Sequence, residues 1–185
     1  NTKAQIGSNN GKKYSINEKI FIKKSILEKV KHKKIHYKNF NNNIVRVIKG
    51  TNFDYFSQEA KSIFFKEQYS ITSLVDRMGI RLDGPKLENI VNTNIKSEGL
   101  IRGVIQVPAD GKPIILLSDH GTIGGYPKIA VVISADLDRV AQFSPGTKIR
   151  FKEVNLTEAE NLFKNYTEET KKYLYESWAV DSTTG

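Results

Sequence analysis

The sequence has no cysteine, one methionine and one tryptophan among its 185 residues. Without cysteine the chain forms neither disulfides nor thiolate nucleophiles or metal ligands. It has no run of about 18 apolar residues, which a helix needs to cross a bilayer, and it does not open with the basic, apolar and small-residue succession of a secretory signal. We therefore expect a cytoplasmic protein with no membrane partner.

The net charge of +9 raises the question of nucleic-acid binding, because clustered basic residues neutralise phosphates. Lysine outnumbers arginine by 23 to 6 and accompanies 21 isoleucines and 15 asparagines, a combination typical of AT-rich coding sequence. The densest basic stretch, Lys23 to Lys38, contains Tyr37 as its one aromatic residue, which is too few for base stacking. We expect no nucleic-acid partner.

Alternating apolar residues between closely spaced turn signals predict a mainly β fold. The candidate strands are Lys19–Lys23, Ile44–Lys49, Tyr69–Leu74, Ile80–Leu82, Leu100–Val107, Ile114–Leu117, Ile129–Ile133 and Lys148–Val154. The candidate helices are Phe53–Phe65, Ala135–Phe143 and Thr157 to about Tyr175, the last with a capping box from Thr157 to Glu160. Strands at intervals of about ten residues with few helices favour a closed barrel.

Two arginines lie four residues apart in the segment Asp76 to Pro85. In an extended strand Arg77 and Arg81 project to the same face, where two guanidinium groups can hold a carboxylate or phosphate together. The structural alternative is that they pair with Asp76 and Asp83 at the rim of the barrel.

Gln106 lies within an otherwise apolar strand, and its amide must find partners. Backbone groups or the amide of a substrate would both satisfy it. The following segment, Ala109 to Lys112, is predicted to be a hairpin turn.

The segment Asp119 to Lys128 (DHGTIGGYPK) is dense in glycine, which lets backbone approach a ligand closely. Its free N–H groups can bind an anion or oxyanion, and Thr122, Tyr126 and Lys128 add donors. It lacks the P-loop pattern, the spacing of the three histidines gives no metal site, and there is no nucleophile elbow. A self-contained hydrolase triad therefore has no support.

Three blocks resemble the biotin-dependent carboxyltransferase-like family, which includes the second subunit of bacterial 5-oxoprolinase, also known as allophanate hydrolase subunit 2. They are SLVDRMGIRLDGP, SEGLIRGVIQVPADGKPIILLSDHGTIGGYPKIAVVISADL and AQFSPGTKIRF, within a similarity from about Arg46 through Glu160. The resemblance implies a cyclophilin-like β-barrel with a few short helices and a C-terminal helix. The corresponding domain is expected at residues 44–160, followed by a C-terminal helix and tail at 161–185.

The resemblance also implies a role in an ATP-dependent 5-oxoprolinase that opens 5-oxo-L-proline to L-glutamate. The implied partners are the adjacent-gene subunit and a third subunit, with which ATP is bound. In this hypothesis Thr122 and Lys128 stabilise oxyanion charge and Gln106 orients the amide. The substrate contacts are Arg77, Arg81, Gly124, Gly125 and Tyr126, and no metal is expected.

The sequence departs from the family pattern in two ways. Gly121 stands where the family usually has Gln, and Ile123 replaces the second Thr of the loop, which leaves the identity of the substrate open. Family members normally carry an additional N-terminal half, whereas this chain joins the family pattern only near its middle, around Lys3 to Lys23. Residues 1–43 are therefore interpreted as a polar remnant of a truncated N-terminal half, and we expect the chain to be inactive alone.

Two other functions stay open. Fused relatives imply a carboxyltransferase module of a biotin-dependent urea or amide carboxylase, for which biotin would be the cofactor. A non-enzymatic role as regulatory partner of a kinase inhibitor would need a partner surface rather than a pocket.

Overall fold

The computed structural model describes residues 14–19, 42–91 and 94–179, with side chains as far as residue 172. The chain divides into two compact units, residues 1–35 and residues 36–185. In the first unit the described residues form a turn, in which the Glu18 amide donates to the Ser15 carbonyl at 3.1 Å. Apart from Lys19, the predicted strand Lys19–Lys23 lies outside the described residues, and so does most of the predicted lead-in at residues 1–43.

Nine strands are formed by the described residues of the second unit. They are β1 (Ile44–Lys49), β2 (Tyr69–Val75), β3 (Gly79–Asp83), β4 (Glu98–Gly99), β5 (Val104–Gln106), β6 (Ile114–Leu116), β7 (Ile123–Gly124), β8 (Lys128–Val132) and β9 (Lys148–Glu153). Seven of them close a barrel in the order β1-β8-β5-β6-β3-β2-β9, and β4 pairs with β7 in a separate two-stranded sheet. The predicted mainly β barrel is confirmed.

The barrel is closed by the parallel pairing of β1 with β9, in which Val45 lies opposite Phe151. The other neighbouring strands of the barrel are antiparallel. Successive side chains alternate between the two faces of a strand, so each strand sends every second residue into the barrel. The fully buried Ile80, Ile105 and Ile115 follow this rule, and together with their neighbours they form one continuous core.

Helix α1 (Gln58–Lys66) adds Ala60 and Phe64 to this core. The Phe64 ring stacks on Phe151 with 4.5 Å between ring centroids. The predicted helix over Phe53–Phe65 is wrong in its first turns. Phe53–Tyr55 is a 3-10 turn, Phe56 forms a bridge with Asn89, and the Ser57 hydroxyl caps α1 by accepting from the Ala60 amide at 3.0 Å.

Helix α2 is Ser134–Val140, and α3 is Leu156–Ala179. The capping box predicted at Thr157 is wrong, because α3 already begins at Leu156 and the side chain of Asn155 accepts from the Glu158 amide at 2.8 Å. Asparagine is a strong N-cap because its short carbonyl reaches a free amide of the first turn. None of the helices in the described part of the chain is long and apolar enough to cross a membrane.

A buried ion cluster fixes the start of β1 to α2. Asp136, which is 1% exposed, accepts from the Arg46 amide at 2.8 Å and from the guanidinium groups of Arg46 and Arg139. Arg139 donates in turn to the carbonyl oxygens of Asn42 and Ile44. Burial alone would raise the pKa of Asp136, but the hydrogen bonds from Arg46 and the positive charges outweigh it and hold the pKa below its usual range.

We predict that Asp136→Asn lowers the free energy of unfolding by about 3–5 kcal/mol, because it leaves two guanidinium groups without a counter-charge. Since the folded-state pKa is depressed, this stabilisation is present above the unfolded-state pKa and is lost as the pH falls through the folded-state pKa. Urea unfolding at several pH values therefore finds a shallower acid dependence in the variant. Asp83→Asn, which breaks the exposed pair with Lys112, is the control, and an equal loss in both variants would contradict the prediction.

Candidate functional site

A cavity of about 470 Å³ lies against the outer face of β3, β6 and β5. Because Ile80, Ile105 and Ile115 point into the barrel, their chain neighbours point outwards and form the floor. The floor residues are Gly79, Arg81, Gln106, Ile114 and Leu116. The floor is therefore apolar, with one guanidinium and one carboxamide.

The walls of the cavity come from the end of β2, from the β2–β3 turn and from the β4–β7 sheet with its flanking segments. These wall residues are Leu74, Asp76, Met78, Leu100, His120, Gly121, Ile123, Gly124, Gly125 and Tyr126. Leu74, Met78 and Ile123 are 65%, 57% and 66% exposed, so the mouth of the cavity is apolar as well.

Gly124 is required by the close approach of the β4–β7 sheet to the barrel. A Cβ atom at this position would lie 2.8 Å from Nε2 of Gln106 and 2.9 Å from Cδ1 of Leu100. Gln106 is 6% exposed, and its Nε2 donates to the carbonyl of Tyr126 at 3.5 Å. The glycine-rich segment thus lies directly over the carboxamide.

The structure separates the two arginines that were expected to act together. Arg81 lies in β3 and lines the cavity, where it donates to Asp110. Arg77 precedes β3 in a turn, is 81% exposed and forms a two-point ion pair with Asp119, with Nε to Oδ2 at 2.6 Å. That hydrogen bond, together with the charge of Arg77, lowers the pKa of Asp119.

The alternative, in which the two arginines pair with Asp76 and Asp83, is wrong because these aspartates have other partners. Asp76 accepts from the amides of Met78 and Gly79 and so closes the β2–β3 turn, and Asp83 pairs with Lys112 at 2.5 Å. The predicted hairpin turn at Ala109 to Lys112 is confirmed. Gly111 has φ of 74° there and donates to the Pro108 carbonyl at 3.0 Å.

The cavity lining unites five of the eight predicted site residues. Arg81, Gln106, Gly124, Gly125 and Tyr126 are among the lining residues. Thr122 is not among the lining residues. Its side chain is exposed, and its backbone carbonyl accepts from the Leu100 amide at 3.0 Å. Lys128 lies beside the cavity in β8 with its ammonium turned to other residues.

Lys128 forms a polar cluster with Asn52 and Glu98. Its side chain is 4% exposed, and Nζ lies 2.8 Å from Oε2 of Glu98 and 3.4 Å from Oδ1 of Asn52. The same Asn52 oxygen accepts from the Lys128 amide at 3.1 Å. The hydrogen bond from Lys128 lowers the pKa of Glu98, and this effect outweighs burial, which raises it. The lowered pKa keeps the Glu98 carboxyl ionised.

The sequence analysis did not name Asn52, Glu98 and His120 as site residues, although His120 lies in the glycine-rich segment Asp119 to Lys128. Glu98 is 30 residues from Lys128, and Asn52 is 76 residues away. The Ser-Glu-Gly triplet before β5 was the available signal for Glu98, but a charge beside a glycine does not identify a distant partner. In the described residues, no group of three or more histidine, aspartate and glutamate side chains could hold a metal ion.

Comparison with known proteins adds the family. The model of the carboxyltransferase domain, subdomain A and B, matches residues 1–153. A 5-oxoprolinase subunit of Escherichia coli (strain K12) is 38% identical over 117 residues, which cover 63% of this chain and 38% of that protein. The urea amidolyase of Lachancea kluyveri is 30% identical over 118 residues, which cover 59% of this chain and 6% of that protein.

Among solved structures, the Kluyveromyces lactis urea amidolyase superposes with a TM-score of 0.69 at 24% identity, over 75% of this chain and 9% of that chain. This likeness concerns the fold. Since the family model covers most of the sequence, the chain belongs to the carboxyltransferase domain family, subdomains A and B. It spans well under half the length of the relatives that it matches.

We predict that Gly124→Ala lowers the free energy of unfolding by about 1 kcal/mol and displaces the Gln106 side chain, because the new methyl group overlaps the ends of two flexible side chains. Urea unfolding measures the first effect, and the NMR shifts of the Gln106 carboxamide protons measure the second.

Gly99→Ala is the matched control for this substitution. Gly99 lies in the partner strand of the same small sheet, and a Cβ atom there meets nothing within 4 Å. Equal changes in the two variants would contradict the close approach of Gly124 to the barrel.

Proposed function

We propose that this chain is the C-terminal part of a subunit of an ATP-dependent 5-oxoprolinase, and that the cavity on the outer face of the barrel holds 5-oxo-L-proline. The observation that carries the proposal is the carboxamide of Gln106, which lies with the guanidinium of Arg81 on the otherwise apolar floor of the cavity. The similarity to the E. coli 5-oxoprolinase subunit supports the choice of reaction.

Gln106 has the chemistry that a lactam requires. A carboxamide offers two donors and an acceptor, and the edge of a lactam offers one N–H and one carbonyl oxygen. Nε2 of Gln106 donates one hydrogen bond to the Tyr126 carbonyl, and Oε1 accepts no hydrogen bond from the described residues. A pair of reciprocal hydrogen bonds would therefore fix the lactam over Ile114 and Leu116.

Arg81 supplies the contact for the carboxylate of 5-oxoproline. A guanidinium carries five N–H donors, and among the described residues the Arg81 side chain makes one hydrogen bond, to Asp110. The remaining donors can bind a carboxylate while Asp110 holds the group in place. Arg77 lies outside the cavity lining, so the proposal leaves this contact to Arg81 alone.

In the proposed reaction, hydrolysis of ATP to ADP and phosphate would be coupled to the addition of water to the lactam carbon. The C–N bond would break, and a proton would pass to the leaving nitrogen, which gives L-glutamate. The glycine-rich wall around Gly124 and Gly125, with Thr122 at its edge, would stabilise the charge that develops on the carbonyl oxygen. We assign ATP and the general base to an assembly with the adjacent-gene subunit and a third subunit.

The test is glutamate release from 5-oxoproline by the full-length protein co-expressed with the adjacent subunits. We expect glutamate release that requires ATP. We also expect the KM for 5-oxoproline to rise by about tenfold or more in Arg81→Ala and by a similar factor in Gln106→Leu. Arg77→Ala is the matched control, because it also removes an arginine from a pair with aspartate but lies outside the cavity.

Each result has a clear meaning. Equal losses in the Arg77 and Arg81 variants would contradict the assignment of the cavity. Failure of the assembled wild-type subunits to release glutamate would contradict the function itself.

A carboxyltransferase module of a biotin-dependent amide carboxylase is the second candidate, favoured by the similarity to urea amidolyase. The same cavity would then accept a urea-like amide at Gln106, and biotin would enter with a carrier from another subunit. This candidate predicts amide carboxylation that avidin inhibits, and genes for a biotin carboxylase and a carrier nearby.

A further inference from the structure

We infer that Asn52, Glu98 and Lys128 form a latch that positions the β4–β7 sheet over the cavity, and that Lys128 is a positioning residue. The inference rests on the proposed function only for the identity of the ligand. The geometry of the latch is independent of it.

The polar groups of the latch satisfy one another. The Lys128 ammonium donates to Glu98 and Asn52, and Nδ2 of Asn52 lies 3.5 Å from Oε1 of Glu98. None of these three side chains is among the residues that line the cavity. A catalytic ammonium must reach the reacting atoms, whereas this one ends in an ion pair beside the cavity.

The β4–β7 sheet needs an anchor of this kind. Each of its strands has two residues, and a two-stranded sheet of this size is not stable alone in water. Its own bonds include Leu100 N–H to the Thr122 carbonyl at 3.0 Å and Ile95 N–H to the Gly125 carbonyl at 2.9 Å. Glu98 connects this sheet by an ion pair to Lys128 in barrel strand β8.

The register couples the latch to the cavity wall. Glu98 lies directly opposite Gly124 in the small sheet, so both face the barrel. Glu98 there contacts Lys128, and Gly124 lies over Gln106. In the barrel, Gln106 and Lys128 are themselves paired across β5 and β8. Moving Glu98 away from Lys128 therefore moves Gly124 away from Gln106.

The two sides of the ion pair are not equivalent. The Lys128 side chain is 4% exposed, while the Glu98 side chain is 42% exposed. Removing Lys128 leaves a carboxylate that water can solvate, and removing the charge of Glu98 leaves a buried ammonium without a counter-charge. The Glu98 substitution should therefore perturb the wall more strongly than the Lys128 substitution.

Hydrogen–deuterium exchange of the full chain tests the latch. In Lys128→Met we expect the amides of Ile95 and Leu100 to exchange about tenfold faster, with a larger effect in Glu98→Gln. The amides of Leu82 and Val132, which bond to Pro113 and Gly103 in the barrel, should keep their rates. Lys128→Arg should restore slow exchange, because arginine retains the charge and the donors.

Lys112→Met is the matched control, since it breaks a Lys–Asp pair between other parts of the barrel surface and should leave Ile95 and Leu100 unchanged. Unchanged exchange at these two amides in both latch variants would overturn the inference. Uniform acceleration of all four amides would also overturn it, because it would indicate a general loss of stability.

The activity assay supplies a second readout. A positioning role predicts that Lys128→Met raises KM for 5-oxoproline while kcat changes less than about threefold, and that Lys128→Arg recovers KM. Loss of kcat without recovery in Lys128→Arg would overturn the positioning role. A wild-type complex that releases no glutamate would contradict the proposed function, and the exchange experiment would still decide the latch.

Discussion

The parallel pairing of β1 with β9 is the constraint on which the rest of the structure depends. It turns an open sheet into a closed barrel, so every strand has one face inside and one face outside. Phe151, which lies in this seam opposite Val45, stacks on Phe64 of α1 and helps to fill the interior. With the interior filled by apolar side chains, the polar residues of β3, β5 and β8 have only the outer face available.

The sequence was sufficient to predict the barrel strands in the described part of the chain to within a few residues, because alternation is a local signal. Helix starts were predicted less well. At α1 the apolar spacing of Phe53 and Phe56 imitates a helix, yet Phe56 bridges to Asn89 and Ser57 supplies the cap. At α3 the sequence offers a capping box at Thr157, but the helix is capped by the side chain of Asn155, two residues earlier.

For the candidate site, glycine density and the isolated Gln106 indicated residues that the structure brings together in one cavity, because both are unusual in an apolar strand context. The partners of the charges could not be predicted. The β5–β6 hairpin brings Asp110 to Arg81, and the small β4–β7 sheet brings Glu98 to Lys128. No periodic pattern in the sequence predicts that small sheet.

The floor made by Ile114 and Leu116 has a thermodynamic consequence for any ligand. Water against such a surface finds few hydrogen-bond partners, and a ligand that covers it releases that water into bulk solvent. Covering apolar surface gives binding a negative change in heat capacity. The enthalpy and entropy of binding at this cavity therefore change strongly with temperature even where the affinity changes little.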